Sequence, residues 1–190
     1  MSKTVTAFHR FVASTRGVAA IEFAMIMPVM LILLLASFDA GRALAIYIKV
    51  RSATYTLDAI TNQYTTIHDT DMTAILGATS VVLSPYSSSP IVVVISEVSV
   101  SAINQSVATV VWSNTLNGTA RAVGSNVNLP SSLNTNNNNT CNSYPCYLIF
   151  GEVTYAYTPS FGYFATGGIT LADSLYAAPR SSISIARISP

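Results

Sequence analysis

Residues 17–38, GVAAIEFAMIMPVMLILLLASF, are apolar apart from Glu22 and Ser37. As a helix, 22 residues rise about 33 Å, enough to cross a hydrocarbon core of about 30 Å. Lys3, Arg10 and Arg16 precede the run with no acidic residue among them. A cleaved secretory signal also starts basic and turns apolar, but its apolar core is usually about 7–15 residues with a small-x-small site just beyond. Here the run is longer and gives way to Asp39 and Arg42 before Ala43 and Ala45 offer such a site. The uncleaved spanning helix, bounded as residues 18–40, is the preferred reading.

Orientation does not follow from charge. Arg42, Lys49 and Arg51 after the run balance the three cations before it, so the positive-inside comparison is a tie. The remainder of the chain breaks it. From residue 80 onward the only charged side chains are Glu97, Arg121, Glu152, Asp173, Arg180 and Arg187, and the polarity comes from Ser, Thr and Asn. Such charge-poor, hydroxyl-rich sequence is typical of exported β domains. Cys141 and Cys146 are separated by four intervening residues with no histidine nearby, unlike C-x-x-C zinc or redox pairs. They read best as a small disulfide loop in an oxidising compartment. The N-terminus is therefore expected in the cytoplasm and the bulk of the chain outside.

Beyond the membrane, Ala43, Ile46, Tyr47, Val50, Ala53, Leu57, Ile60, Tyr64 and Ile67 recur at steps of three and four, the pattern of an amphipathic helix. The sequence thus predicts an amphipathic stalk over residues 41–75 whose stripe packs on the chain's own domain. A partner's helix is the alternative occupant. Pro28 should bend the helix inside the membrane, because proline removes one backbone donor and crowds the preceding turn. After Gly77 the pattern turns to short strands, at 91–95, 98–101, 107–112, 147–157 and 183–185, punctuated by prolines. The Asn-rich stretch 134–139 reads as an exposed loop. The fold class is α+β, with a long N-terminal transmembrane and amphipathic helix followed by an antiparallel β-rich domain at 76–190.

Catalytic constellations are lacking. His9 and His68 are the only histidines, and neither has ligand-like company. Asp69 and Asp71 beside His68 read as a solvated turn rather than a metal site. Glu97 and Glu152 read as solvent-facing or structural. No nucleophile–base motif or phosphate loop occurs, and the net charge of +1 offers no bulk attraction for nucleic acid. No enzyme activity, cofactor, metal or small-molecule substrate is expected. Glu22 is the anomaly: a carboxylate in mid-membrane costs about 2.5–3.5 kcal/mol on insertion scales, less near the cytoplasmic end. It either snorkels toward the headgroups or meets a counter-charge from another molecule, and physics alone leaves both open.

The segment from Arg16 through Gly17, Val18, Glu22 and Phe23 to Ala24 resembles the processing site of type IVb prepilins. In those proteins a membrane-embedded prepilin peptidase cuts after the glycine, and Glu then Phe or Tyr follow at the fifth and sixth mature positions. Glu22 and Phe23 hold those places counted from Val18. Together with the adjoining helix, the segment resembles the N-terminus of TadE-like minor pseudopilins of the tight-adherence (Tad, or Flp) pilus system. GEVTYAYTP at 151–159 and ITLADSLYAAPR at 169–180 are similar to that family's closing strands and its Tyr-Ala-x-Pro-Arg ending.

The resemblance implies a leader at residues 1–17 and a minor pseudopilin, anchored in the inner membrane with its domain periplasmic and then taken into the pilus as initiator or tip. The partners it implies are the prepilin peptidase, other Tad pseudopilins or pilin, and the inner-membrane assembly platform. It also gives Glu22 a role, pairing with the Val18 amine of a neighbouring subunit. The competing function is a bitopic membrane-anchored ligand-binding or adhesin domain, which needs none of Gly17, Glu22 or Phe23.

Overall fold

In a computed structural model describing residues 17–133, 141, 144–161 and 167–188, one helix carries the chain from the apolar run into the folded domain. Helix α1 (Val18–Thr61) is continuous for 44 residues and passes through Pro28. Its first half is bare: Ile21, Met25, Leu33 and Leu34 are each more than 60% exposed. No part of its most apolar window is covered by the rest of the chain, as a helix solvated by lipid requires. Its second half buries a stripe of Ile46, Val50, Ala53, Thr54, Leu57, Asp58 and Thr61, confirming that the stripe packs against the chain's own domain.

The helix stops at Thr61, earlier than the stalk to residue 75 that the spacing predicts. Tyr64 and Ile67 keep the helical spacing, but Thr65, Thr66 and Ile67 are consecutive β-branched residues, which favour extended backbone. They form β1 (Thr66–His68). A second helix, α2 (Asp69–Val82), then runs through Gly77, where the sequence reading ends helical structure. The predicted solvated turn at 68–71 is in fact the start of this helix. The His68 amide donates to Asp71 Oδ2 at 3.0 Å, and Asp69 and Asp71 place negative charge in the first turn, where the helix dipole favours it.

The remaining strands are β2 (Ile91–Val100), β3 (Val107–Leu116), β4 (Asn126–Asn128), β5 (Cys146–Tyr157), β6 (Ile169–Ala177) and β7 (Ala186–Ile188), with a short 3-10 turn at Ser131–Leu133. Five of them form an antiparallel sheet in the order β4-β3-β2-β5-β6, while β1 and β7 pair in parallel. The α+β class and the antiparallel half-barrel after a long apolar helix match the sequence reading. The last strand falls at 186–188 instead of 183–185. The Asn-rich stretch 134–139 and residues 1–16 lie outside the described residues.

Each face of the sheet has its own core. Ile91, Val93, Ile95, Trp112, Ile149 and Val153 pack with α1 and α2. Val98, Val100, Val110, Leu148 and Phe150 form a second cluster with Val127 and Leu129, on the opposite face by strand alternation. A bulge lets Trp112 pair with Glu97 while Val110 pairs with Val98, so Val111 is the extra residue.

Cys141 and Cys146 are joined by a disulfide at the start of β5. Protein unfolded without reductant should take up no thiol reagent, and both cysteines should label after reduction. Full labelling without reductant would remove the argument for an oxidising compartment. The loop is short, so its contribution to stability should lie at or below the low end of the usual ~2–4 kcal/mol.

Candidate functional site

The residues that the sequence singles out on the N-terminal helix are presented, not assembled into a pocket. Gly17 sits at the helix N-cap and Val18 opens the helix. Val18 and Phe23 are both more than half exposed, and Glu22 is exposed. Among the described residues nothing pairs with Glu22. Pro28 lies one and a half turns further on, inside the continuous helix.

A collar fixes the domain to the helix where the apolar run ends. Asp39 Oδ1 and Oδ2 accept the backbone N–H groups of Ser160 (3.2 Å) and Phe161 (3.0 Å). Tyr157 Oη donates to the Asp39 carbonyl at 3.3 Å, and Arg42 donates to Ser160 Oγ at 2.6 Å. Phe161 meets the Phe38 ring edge-on, and the Arg42 guanidinium lies 5.9 Å from the centre of the same ring. Asp39 was not a candidate in the sequence. Its available signal was its place as the first charge after the membrane run.

Higher on α1, Asp58 is 1% exposed, and neither carboxylate oxygen has a hydrogen-bond partner within the protein. The Asn62 side-chain oxygen, one turn on, lacks one as well. β5 approaches so closely here that a Cβ on Gly151 would collide with the Asp58 carboxylate and force that side chain to shift. Burial, with a smaller push from Asp173 on β6, raises the Asp58 pKa to about 8. The group is thus mostly a neutral acid at pH 7.

Glu97 is not solvent-facing. It is 1% exposed and accepts the Ile185 N–H at 2.7 Å, while the Trp112 indole donates to the Ile185 carbonyl at 2.9 Å. Burial raises the Glu97 pKa, and the Ile185 amide and the Trp112 side chain oppose the rise. Together they latch the C-terminal segment into the core. Arg187 continues the latch, donating to the Ile67 carbonyl and Asn114 Oδ1 at 3.2 Å each and pairing with Asp69.

Glu152 lies on the other face of the sheet, in a two-pronged ion pair with Arg121 at 2.7 and 2.8 Å. The guanidinium lies 5.2 Å from the Phe150 ring centre, and Phe150 stacks on Tyr176 at 4.1 Å. Burial, then the Glu152 charge, pushes the Tyr176 pKa up to about 12. An open concavity of about 340 Å³ beside this pair is lined by Val92, Val94, Thr119 and Thr154. Arg121 and Glu152 satisfy each other there, leaving no uncompensated charge to bind a ligand.

Among the described residues no group of three or more His, Cys, Asp or Glu could hold a metal. A long apolar helix left bare by its own domain, with a β half-barrel collared to its outer half, has the architecture of a domain on a membrane anchor. Residues 17–56 match the family model of the TadE-like proteins. That segment is thus similar to a TadE-like domain, consistent with a component of a Tad pilus, and the TadE-like family is not known for enzymes. No curated protein and no solved structure matches the chain.

Proposed function

We propose that this chain is a minor pseudopilin, a structural subunit that initiates or tips a Tad-type pilus. Residues 1–17 act as the leader, and prepilin peptidase cleaves between Gly17 and Val18. The mature subunit waits in the inner membrane on its apolar helix, with its domain in the periplasm, before other pseudopilins and the assembly platform take it up. The observation that carries this reading is the TadE-like match, which begins at Gly17 and covers the uncovered half of α1. The bare helix supports it further, because an apolar surface of that length must be covered by lipid or by other subunits. Glu22 and Phe23 then face those neighbours.

N-terminal sequencing and intact mass of protein from a peptidase-positive host test the reading. The expected mature chain begins at Val18. A chain beginning at Met1 or Ser2 would overturn the pseudopilin assignment, and a start near Gly41 or Ile46 would point to an ordinary secretory signal.

A further inference from the structure

The collar fixes more than the tilt of the domain; it also fixes the depth of one aromatic side chain. Phe38 is the last residue of the apolar run, and the ring centres of Phe38 and Phe161 are 6.1 Å apart. Asp39 grips the backbone amides of Ser160 and Phe161, and Arg42 holds Ser160 Oγ. Phe161 therefore cannot move along the helix independently. Residues 18–38 rise about 31 Å, so with Val18 at one edge of a hydrocarbon core of about 30 Å, Phe38 reaches the other. Phe161 lies in the same plane.

Among the described residues, exposed apolar side chains cluster around it. Phe38, Phe161 and Ile169 are 55%, 38% and 42% exposed. Between helix and sheet a crevice of about 140 Å³ opens at this level, lined mostly by apolar side chains, among them Pro159, Phe161 and Ile169, with Asp39 as its one charged residue. Apolar and aromatic side chains, phenylalanine among them, bury favourably at the boundary between headgroups and acyl chains.

We infer that the β5–β6 end of the domain is a membrane foot, with Phe161, Pro159 and Ile169 seated in the outer-leaflet interface beside Phe38. The partner is the lipid surface itself. The domain thus rests on the bilayer with β5 and β6 standing over it, instead of swinging freely on a stalk. Asp39 and Arg42 are the residues that hold the foot at its depth. The inference rests on residues 18–38 crossing a bilayer, as proposed above.

The test uses the full chain reconstituted in phosphatidylethanolamine–phosphatidylglycerol vesicles. Single cysteines replace Phe161, Ile169, Met30 or Ile103 and carry an environment-sensitive fluorophore, attached without reductant so that the native disulfide stays closed. Met30 marks the membrane interior, and Ile103, 97% exposed, marks water. Labels at 161 and 169 should be quenched by lipids carrying a nitroxide near the headgroup. Their quenching by iodide should fall at least about threefold below that at 103, as burial at the interface requires. Ile169→Cys leaves the Asp39 contacts intact and keeps the test valid if Phe161→Cys loosens the collar. Iodide quenching at 161 and 169 equal to that at 103, with 30 still shielded, overturns the foot alone. Shielding from iodide without lipid quenching overturns it in favour of a protein neighbour. A label at 30 that is open to iodide overturns the spanning helix, and the foot with it.

Discussion

Glu22→Ala is expected to abolish piliation while the protein still enters the membrane and is still cleaved. The two environments respond in opposite senses. In the bilayer, removing a carboxylate eases insertion, by up to about 3 kcal/mol on insertion scales. In the proposed assembly, the same change strands a neighbour's Val18 amine, a loss that reaches about 3–5 kcal/mol when such a pair is buried. No group among the described residues pairs with Glu22 within one chain, so its loss should leave the folded domain untouched. The processed variant should accumulate in the inner membrane and fail to co-purify with its pseudopilin partners. Glu22→Gln keeps hydrogen bonding and removes charge, and should be nearly as defective. Normal piliation and normal pull-down by both variants would sink the pairing and favour the plain anchored domain.

Asp58→Asn should stabilise the domain, most strongly at alkaline pH. The folded pKa of about 8 stands above the ordinary carboxyl value of 3.8. The folded state therefore holds the proton over a range in which the unfolded chain has lost it. Full stability is present below about pH 4, declines as pH rises toward 8, and levels off above. The whole shift corresponds to roughly 5 kcal/mol as an order of magnitude. An amide at position 58 cannot ionise, and its NH2 can serve Asn62 Oδ1, one turn away on the same face. The variant should match the wild type near pH 4 and gain several kcal/mol near pH 9, removing most of the slope. Trp112, the single tryptophan and buried against Ile185, reports unfolding in denaturant titrations of the detergent-solubilised protein. Parallel pH profiles for the two proteins between pH 5 and 9 would refute the buried neutral acid.

The long helix and the three central strands were legible in the sequence because their signals are local. Twenty-two residues of nearly unbroken hydropathy admit few structures, and the β-branched run at 91–95 could hardly be helical. The helix end at Thr61 was obscured because Ile60, Tyr64 and Ile67 imitate helical spacing across a break made by Thr65 and Thr66. Gly77 misled in the opposite direction. Its Cβ position faces open space, so the helix passes through it at the modest cost of a glycine. Asp58 follows Leu57 and lies four residues after Thr54, so helical spacing puts it beside the buried stripe, but no local signal marks an acid there as buried. Glu97 was harder to place. Its partner is the backbone of a residue 88 positions away, and no periodicity carries that. Asp39 likewise gains its meaning only when Ser160 and Phe161 return to it from the far side of the sheet.

The parallel pairing of β7 with β1 also bears on when the domain can form. Ile185 completes Glu97 and Trp112, and Arg187 completes the Ile67 carbonyl and Asp69. A chain holding only the helices and central strands leaves the Glu97 carboxylate and the Trp112 indole without the Ile185 backbone that receives them. The domain therefore closes only once residues 185–187 are in place. A chain cut short by an early stop or a protease lacks the piece that seals it and stays open to degradation. Only chains that keep residues 185–187 then hold a finished domain.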